Sequence, residues 1–460
     1  MYFTIRFFIW FLLFALFITS CTEEEKTKTV EESFVSYVSN SNTSIIFGKV
    51  VLKDFIDNLQ YKDLPKLNVL LSKEVTTISK GFDLNEPIYF SIDSLLQQDG
   101  SPSNLYLFFK VKNQESLADK LSSLGYLIEP NKEDLSVFGS NLSGKITSKI
   151  AVLHLSKSAS KKTIAEAFKK ISFDKEPHIK KMINLKSSFS FNLHLENMQL
   201  LLDKQALERP ISKKEELIAL YKNSFISTNF HLKEENFIGD IKFMFNYALK
   251  KRLFFKDQAS KNLDEIKARD FVSGVGISIE PLKADLFISD FYPSLLSHLA
   301  QNNFTLQLAL LSLGQTPISN LTDGNLAFAY HNLDLPTCKI HLGNKASEIK
   351  KLVTAYLPSI NIPNLHFKEN TLTNLNYIPH QKSYQKTSKH SGFYFIYNSK
   401  NDTKLRSLNN RLKFLDAISE ISLKINNEGG TIRFTGKTKK IGLLHQIIEV
   451  YIEELKGMVR

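Results

Sequence analysis

Cysteine is nearly absent from this 460-residue chain. Only Cys21 and Cys338 occur, too few for a disulfide framework, so the fold must stand on packing. Tryptophan occurs once, as Trp10, which weighs against a glycan-binding surface built on indole stacking. No stretch beyond residue 20 is long and apolar enough to span a bilayer. Catalytic signatures are missing too: there is no G-x-S-x-G elbow, no H-E-x-x-H and no phosphate-binding P-loop. GSNLSG (139–144) has the wrong spacing for a nucleophile elbow, and Gly274–Val275–Gly276 is a lone G-x-G inside an expected strand. His331, Cys338 and His341 lie close in sequence, but Cys338 and His341 are three apart on an expected strand and so point to opposite faces. No second ligand pair follows them. The expectation is therefore no metal, no cofactor and no catalytic residue. One sequence cannot select an acid and a base from its many carboxylates.

What is present begins at the amino end. Arg6 supplies positive charge, residues 7–18 are uninterrupted apolar sequence, and Thr19–Ser20–Cys21 follow. That order is the tripartite layout of a secretory leader, and the apolar run falls short of the ~20 residues a spanning helix needs. Ile18–Thr19–Ser20–Cys21 resembles the lipobox of bacterial lipoproteins. The resemblance implies that residues 1–20 are removed and that Cys21 carries lipid, which would leave Cys338 as the only thiol. Two or more acyl chains would then hold the protein stably on a membrane. Residues 21–42 are polar and charged and read as a flexible tether. The cluster Glu23–Glu24–Glu25 is similar to the export tag of surface lipoproteins in Bacteroidota, and reads equally well as an ordinary solvated linker.

The formal charge is +12, but the lysines are scattered among Asn, Ser and Ile with no basic stripe. A solvated surface, not nucleic-acid binding, is expected. Thirty-five phenylalanines within a 43% hydrophobic composition support substantial cores over a length suited to two or three domains.

Short patterns recur in one order along the chain. SIIFGKVVLKDFI (44–56) is echoed by GISIEPLKADLFI (276–288), and PIYFSI (87–92) by NLAFAY (325–330). LYLFFKVKNQESLADKL (105–121) is echoed by CKIHLGNKASEIKKL (338–352), and SSFSF (187–191) by SGFYF (391–395). FHLKEENFIGDIKF (230–243) is echoed by ISLKINNEGGTIRF (421–434). Phe237, Gly239, Ile241, Phe243, Phe245 and Tyr247 alternate at the period of a strand. Leu443, Leu444, Ile447, Ile448, Tyr451, Ile452 and Leu455 fall at helical spacing, predicting a last helix over 440–456 that covers the sheet edge. The expectation is an α+β fold of two tandem related repeats, 43–255 and 270–460, joined by a connector at 256–269. Each repeat would be a mostly antiparallel sheet with helices packed on one face.

With GFDLNEPIYF (81–90) and the two-half layout, these features look like an uncharacterised family of duplicated Bacteroidota envelope lipoproteins, a domain of unknown function. That resemblance implies an envelope, outer-membrane location and transfers no catalytic residue. The leading expectation is a non-catalytic binding or accessory module anchored through Cys21, with an envelope protein or a small apolar ligand held between the repeats. The rivals are an envelope hydrolase with its site between the repeats, and a glycan-capture protein. The polar loop 380–390, bracketed by His380 and His390, is the first segment to test for an anionic partner.

Overall fold

The computed structural model describes residues 29–41, 43–96, 102–131, 133–156, 179, 186–197, 213–256, 272–291, 307, 311–331, 335–356, 365–374, 392–399 and 410–458. They form an α+β protein built on a large antiparallel sheet. The first part comprises α1 (Val30–Asn40), β1 (Ser44–Val50), α2 (Leu52–Leu59), α3 (Pro65–Gly81), β2 (Ile88–Leu96), β3 (Pro102–Lys110) and α4 (Gln114–Ser123). Four short strands follow: β4 (Leu127–Asn131), β5 (Asp134–Phe138), β6 (Leu142–Ile146) and β7 (Ile150–Ser156). Then come β8 (Phe189–His194), α5 (Lys214–Tyr221), β9 (Phe225–Lys233), β10 (Asn236–Met244) and α6 (Tyr247–Arg252). The second part comprises β11 (Ser273–Ser278), α7 (Pro281–Phe291), α8 (Pro317–Leu321), β12 (Thr322–His331), β13 (Leu335–Leu342) and α9 (Ala346–Tyr356). It closes with β14 (His366–Lys368), β15 (Thr371–Thr373), β16 (Phe393–Asn398), β17 (Ile418–Ile425), β18 (Gly429–Gly436) and α10 (Leu443–Met458).

Followed by hydrogen-bonded neighbours, the strands run β4-β5-β6-β7-β3-β2-β1-β8-β9-β10-β18-β17-β16-β11-β12-β13-β15-β14, every pair antiparallel. The expectation of one sheet per half is corrected: there is one 18-stranded sheet. Its cause lies at β10 and β18. An edge strand presents unpaired N–H and C=O groups, and here the last strand of each half pairs with the other, from Asn236 opposite Thr435 to Lys242 opposite Gly429. For the same reason α10 does not cover an edge, because β18 has none free.

Local chemistry accounts for the turns. Between β17 and β18, Asn426 Oδ1 accepts from the backbone N–H groups of Glu428 (2.8 Å) and Gly429 (3.0 Å), and Gly429 holds φ at +147°. An L side chain is strained at that dihedral, which glycine tolerates freely.

Strand alternation gives the sheet two unlike faces. The back face is apolar. Phe90, Phe189, Phe230, Phe237 and Phe434 form a row across it, with successive ring centroids 4.5–5.9 Å apart. Helices cover this face. Phe55 of α2 meets Phe189 edge-on, Leu117 and Leu121 of α4 pack with Phe109 and Leu153, and Leu443 of α10 packs with Phe237 and Phe434. The front face carries α1, so not every helix lies on one side. This helix corrects the tether reading of 21–42 over residues 30–40, which are helical and packed into the core. Its start is a capping box: Glu32 N–H donates to Thr29 Oγ1 (3.1 Å) and Thr29 N–H to Glu32 Oε2 (2.8 Å).

Candidate functional site

Register places seven side chains in one line across the front face. Ser143, His154, Tyr106, Ser91, Phe47, Asn192 and Ser227 stand opposite one another on β6, β7, β3, β2, β1, β8 and β9. All are at most 4% exposed, and only Phe47 is apolar. A buried polar row of this length demands hydrogen-bond partners.

Helix α1 supplies some of them. Phe34 stacks on Tyr89 at 5.1 Å and meets Phe108 edge-on at 5.5 Å, which seats the helix on β2 and β3. Beyond that apolar contact lies Asp93, 5% exposed. One of its oxygens accepts from the Tyr37 hydroxyl (2.5 Å), Ser41 Oγ (2.9 Å) and Thr43 Oγ1 (3.0 Å). The other accepts from Ser91 Oγ (2.6 Å), which also bonds Ser44 Oγ (2.8 Å). Burial, and next the charge of Asp93, pushes the Tyr37 phenol far above its ordinary pKa, so it stays a donor. The carboxylate thus fastens α1 and the turn after it to the sheet.

His154 sits nearby, stacked on Tyr106 with centroids 4.3 Å apart. Its Nε2 meets Asn104 Oδ1 at 3.1 Å, while Nδ1 has no partner among the described residues. Burial lowers its pKa, partly opposed by the charge of Asp93. A His that is neutral when folded and has a lowered folded pKa contributes no pH dependence above its unfolded value. Below about 6.5 the unfolded chain takes the proton more readily, and stability falls toward acid. His154→Phe keeps the ring stack and removes the titration. It should flatten the acid limb of a stability-versus-pH curve, and an unchanged limb would count against this account. Carboxylate, hydroxyl and imidazole are the ingredients of acid–base chemistry, but Ser91 is bonded to Asp93 rather than to His154, and all three are buried. A catalytic base must reach the proton it removes from a substrate.

An open concavity lies on the back side, a cleft of about 520 Å³ between α2, the turn at Tyr61–Asp63, α3 and residues 82–85. Ile56, Tyr61, Val75 and Phe82 line it, with Lys53, Lys62 and Lys112 interleaved with Asp57, Asp63 and Asp83. Lys53 pairs with Asp57 at 2.7 Å. Asp83 is held below the usual carboxylate range by N–H groups of Asn85, backbone first and side chain second. With balanced charges and an apolar wall, the cleft suits a neutral or zwitterionic molecule more than an ion of one sign. It lies within the first half. At the junction of the halves, where a groove was expected, Phe237, Phe434, Ile418 and Leu443 pack together.

The sequence candidates fall as follows. Cys338 is buried on the back face, its thiol pushed up by burial, while His341 points to the front, 3.7 Å from Asp323. His331 ends β12. Among the described residues no three His, Cys, Asp or Glu side chains gather to hold a metal. Gly274, Val275 and Gly276 lie within β11, as strand rather than phosphate loop. Cys21 and the 380–390 loop lie outside the described residues, as does nearly all of the connector. Sequence reasoning missed the Tyr37–Asp93–Ser91 network and the polar row. The available signal was period-two polar residues inside strands, at Ser91 and Asp93, Ser190 and Asn192, and Ser227 and Asn229.

No protein-family model matches the chain, and no curated protein matches it. Among solved structures it is similar to crystal forms I and III of TP0453, at 8% and 6% identity. The matches cover 49% and 50% of this chain and 85% and 86% of that one, with TM-scores of 0.30 and 0.31. At those scores the likeness carries no argument about fold or function.

Proposed function

We propose that this is a lipid-anchored envelope protein, held on the outer membrane through lipid on Cys21 and serving as a non-catalytic binding or accessory module. The carrying observation is the use made of the carboxylate–hydroxyl cluster around Asp93. Asp93 spends its oxygens on Tyr37, Ser41, Thr43 and Ser91, fastening the segment that leads from Cys21 into the body. The leader and lipobox support the anchor. The eight residues from Thr22 to Thr29 would be the whole leash, reaching at most ~29 Å when extended, so the body would ride close to the bilayer. The cleft beside α2 is the concavity such a module would offer a small ligand.

The body is read as a tandem duplication. Support comes from strand order: β3-β2-β1-β8-β9-β10 on one side of the junction mirrors β13-β12-β11-β16-β17-β18 on the other. Reciprocal helix docking supports it too. α2, after the first strand of one half, meets α10, after the last strand of the other: Leu444 N–H donates to Asn58 Oδ1 at 3.0 Å. α7 meets α6 in the same manner, through Arg252 and Asp290 at 2.8 Å. An experimental structure in which β11 did not lie between β12 and β16 would end this reading.

Cys21→Ser tests the anchor. The variant should lose metabolic labelling by radioactive palmitate and keep its leader. Labelling at the wild-type level would refute the proposal.

A further inference from the structure

The buried polar side chains of the front face include one group whose atoms bond one another and another, on β8 and β9, whose oxygens have no partner among the described residues. Near α1, Ser91, Ser44 and Asp93 bond one another. On β8 and β9, four side chains form a rectangle: Asn192 stands opposite Ser227, and Ser190 opposite Asn229. They are 0%, 1%, 1% and 3% exposed, respectively. Yet Ser190 Oγ, Asn192 Oδ1, Ser227 Oγ and Asn229 Oδ1 have no hydrogen-bond partner among the described residues. The surroundings are mixed: Phe47 lies opposite Asn192, with Phe225 and Ile179 in the same cluster as Phe47, while the buried Lys49 stands opposite Ser190 and His194 stacks on Phe225. Asn192 Nδ2 donates to the Phe47 carbonyl at 3.3 Å, which turns Oδ1 away from β1.

Four polar atoms in one small buried patch lose their hydration with no return unless something bonds them. Their chemistry says what fits. The two amide oxygens only accept, and the two hydroxyls accept or donate. A cation is not called for, since no carboxylate is among the four and the buried Lys49 stands opposite Ser190. We infer that Ser190, Asn192, Ser227 and Asn229 form a buried site for neutral hydroxyl groups, supplied by ordered water or by a small polyol. Spacing agrees. Directly opposed side chains on antiparallel strands stand about 4.5–5.5 Å apart at Cβ. An oxygen bonded at about 2.7–2.8 Å to each side spans that gap. A buried water ordinarily makes about three such bonds. The inference is independent of the anchoring proposal, since the site lies wholly within the folded body.

The sign of a stability change tests it on the full chain. In an occupied site the serine hydroxyls hold the guest, so Ser190→Ala with Ser227→Ala should lower Tm. In a dry site the same change removes orphaned groups, so an unchanged or raised Tm overturns the inference. If the double variant does not fold, Ser227→Ala alone is read by the same rule. Two further measurements separate the sources. Native mass spectrometry of protein taken directly from cells would show an added polyol mass. A crystal structure would show water density bridging Asn192 Oδ1 and Ser227 Oγ. Either result supports the site, and finding neither overturns it.

Discussion

Cutting the chain within 256–269 is expected to leave the two pieces bound as one particle. Each half holds core of its own: Phe34, Phe47 and Phe108 in the first, Leu342, Ile349 and Leu372 in the second. Two other cores are shared. Phe237 packs with Phe434, Ile418 and Leu443, while Phe287 and Phe291 of α7 pack with Leu217, Leu220 and Leu249. Separation would strip these rings and free the edges of β10 and β18 along seven residue pairs. It would also break the Leu443 N–H bond to the Glu234 carbonyl (3.0 Å) and the Arg252–Asp290 pair. Full burial of a large apolar side chain is worth roughly 1.5–3 kcal/mol. Four such rings, less the cost of association, point to binding tighter than about 1 μM. A tag on one piece should therefore recover both, eluting together at the size of the uncut protein. Either piece produced alone should aggregate through its open strand. Two separately monodisperse pieces would show that the junction contributes little.

What was legible in the sequence was periodic and local. The alternation from Phe237 to Phe245 gave β10, Asn426 to Gly430 gave the hairpin, and the stripe from Leu443 gave α10. Cys338 and His341 stand on opposite faces, as spacing on a strand requires. The β10–β18 pairing was not legible, because it joins segments nearly two hundred residues apart and no local pattern specifies an edge partner. α1 was missed because Ser33, Ser36, Ser39 and Asn40 dilute its apolar stripe, although Thr29 and Glu32 carry the capping-box spacing. The front face was not legible for a deeper reason. A solvated sheet face and a buried polar face have the same period-two sequence, so Asn192 and Ser227 read as surface until the fold covers them. The cleft likewise depends on how α2 and α3 cross, which periodicity does not encode.

Gly442→Ala is expected to cost about 3 kcal/mol or more, for the addition of one methyl group. Gly442 sits at the start of α10, where a Cβ would lie 1.7 Å from the Asn58 carbonyl oxygen and 2.7 Å from its carbon. Neither atom can yield cheaply. Asn58 is tied on both sides, donating to the Glu234 carbonyl (2.9 Å) and accepting from Leu444 N–H (3.0 Å). Its neighbours are tied as well: Gly442 N–H donates to Gln60 Oε1 (3.2 Å), and His445 Nδ1 meets the Leu59 carbonyl (3.1 Å). To admit the methyl, α2 must retreat from α10, and these bonds, worth about 1 kcal/mol each, loosen together with the packing around Leu443. Gly125→Ala is the control, because its φ of +88° is strained for alanine but nothing lies within 4 Å of the added atom. That change should cost only about 1 kcal/mol, the ordinary penalty of a left-handed residue. Urea denaturation of the two variants reads the difference directly. Because α2 also forms one wall of the cleft through Ile56 and Asp57, Gly442→Ala should open that cleft to protease, while Gly125→Ala should not. Equal midpoints for the two variants would mean that α2 and α10 are not locked together at Asn58.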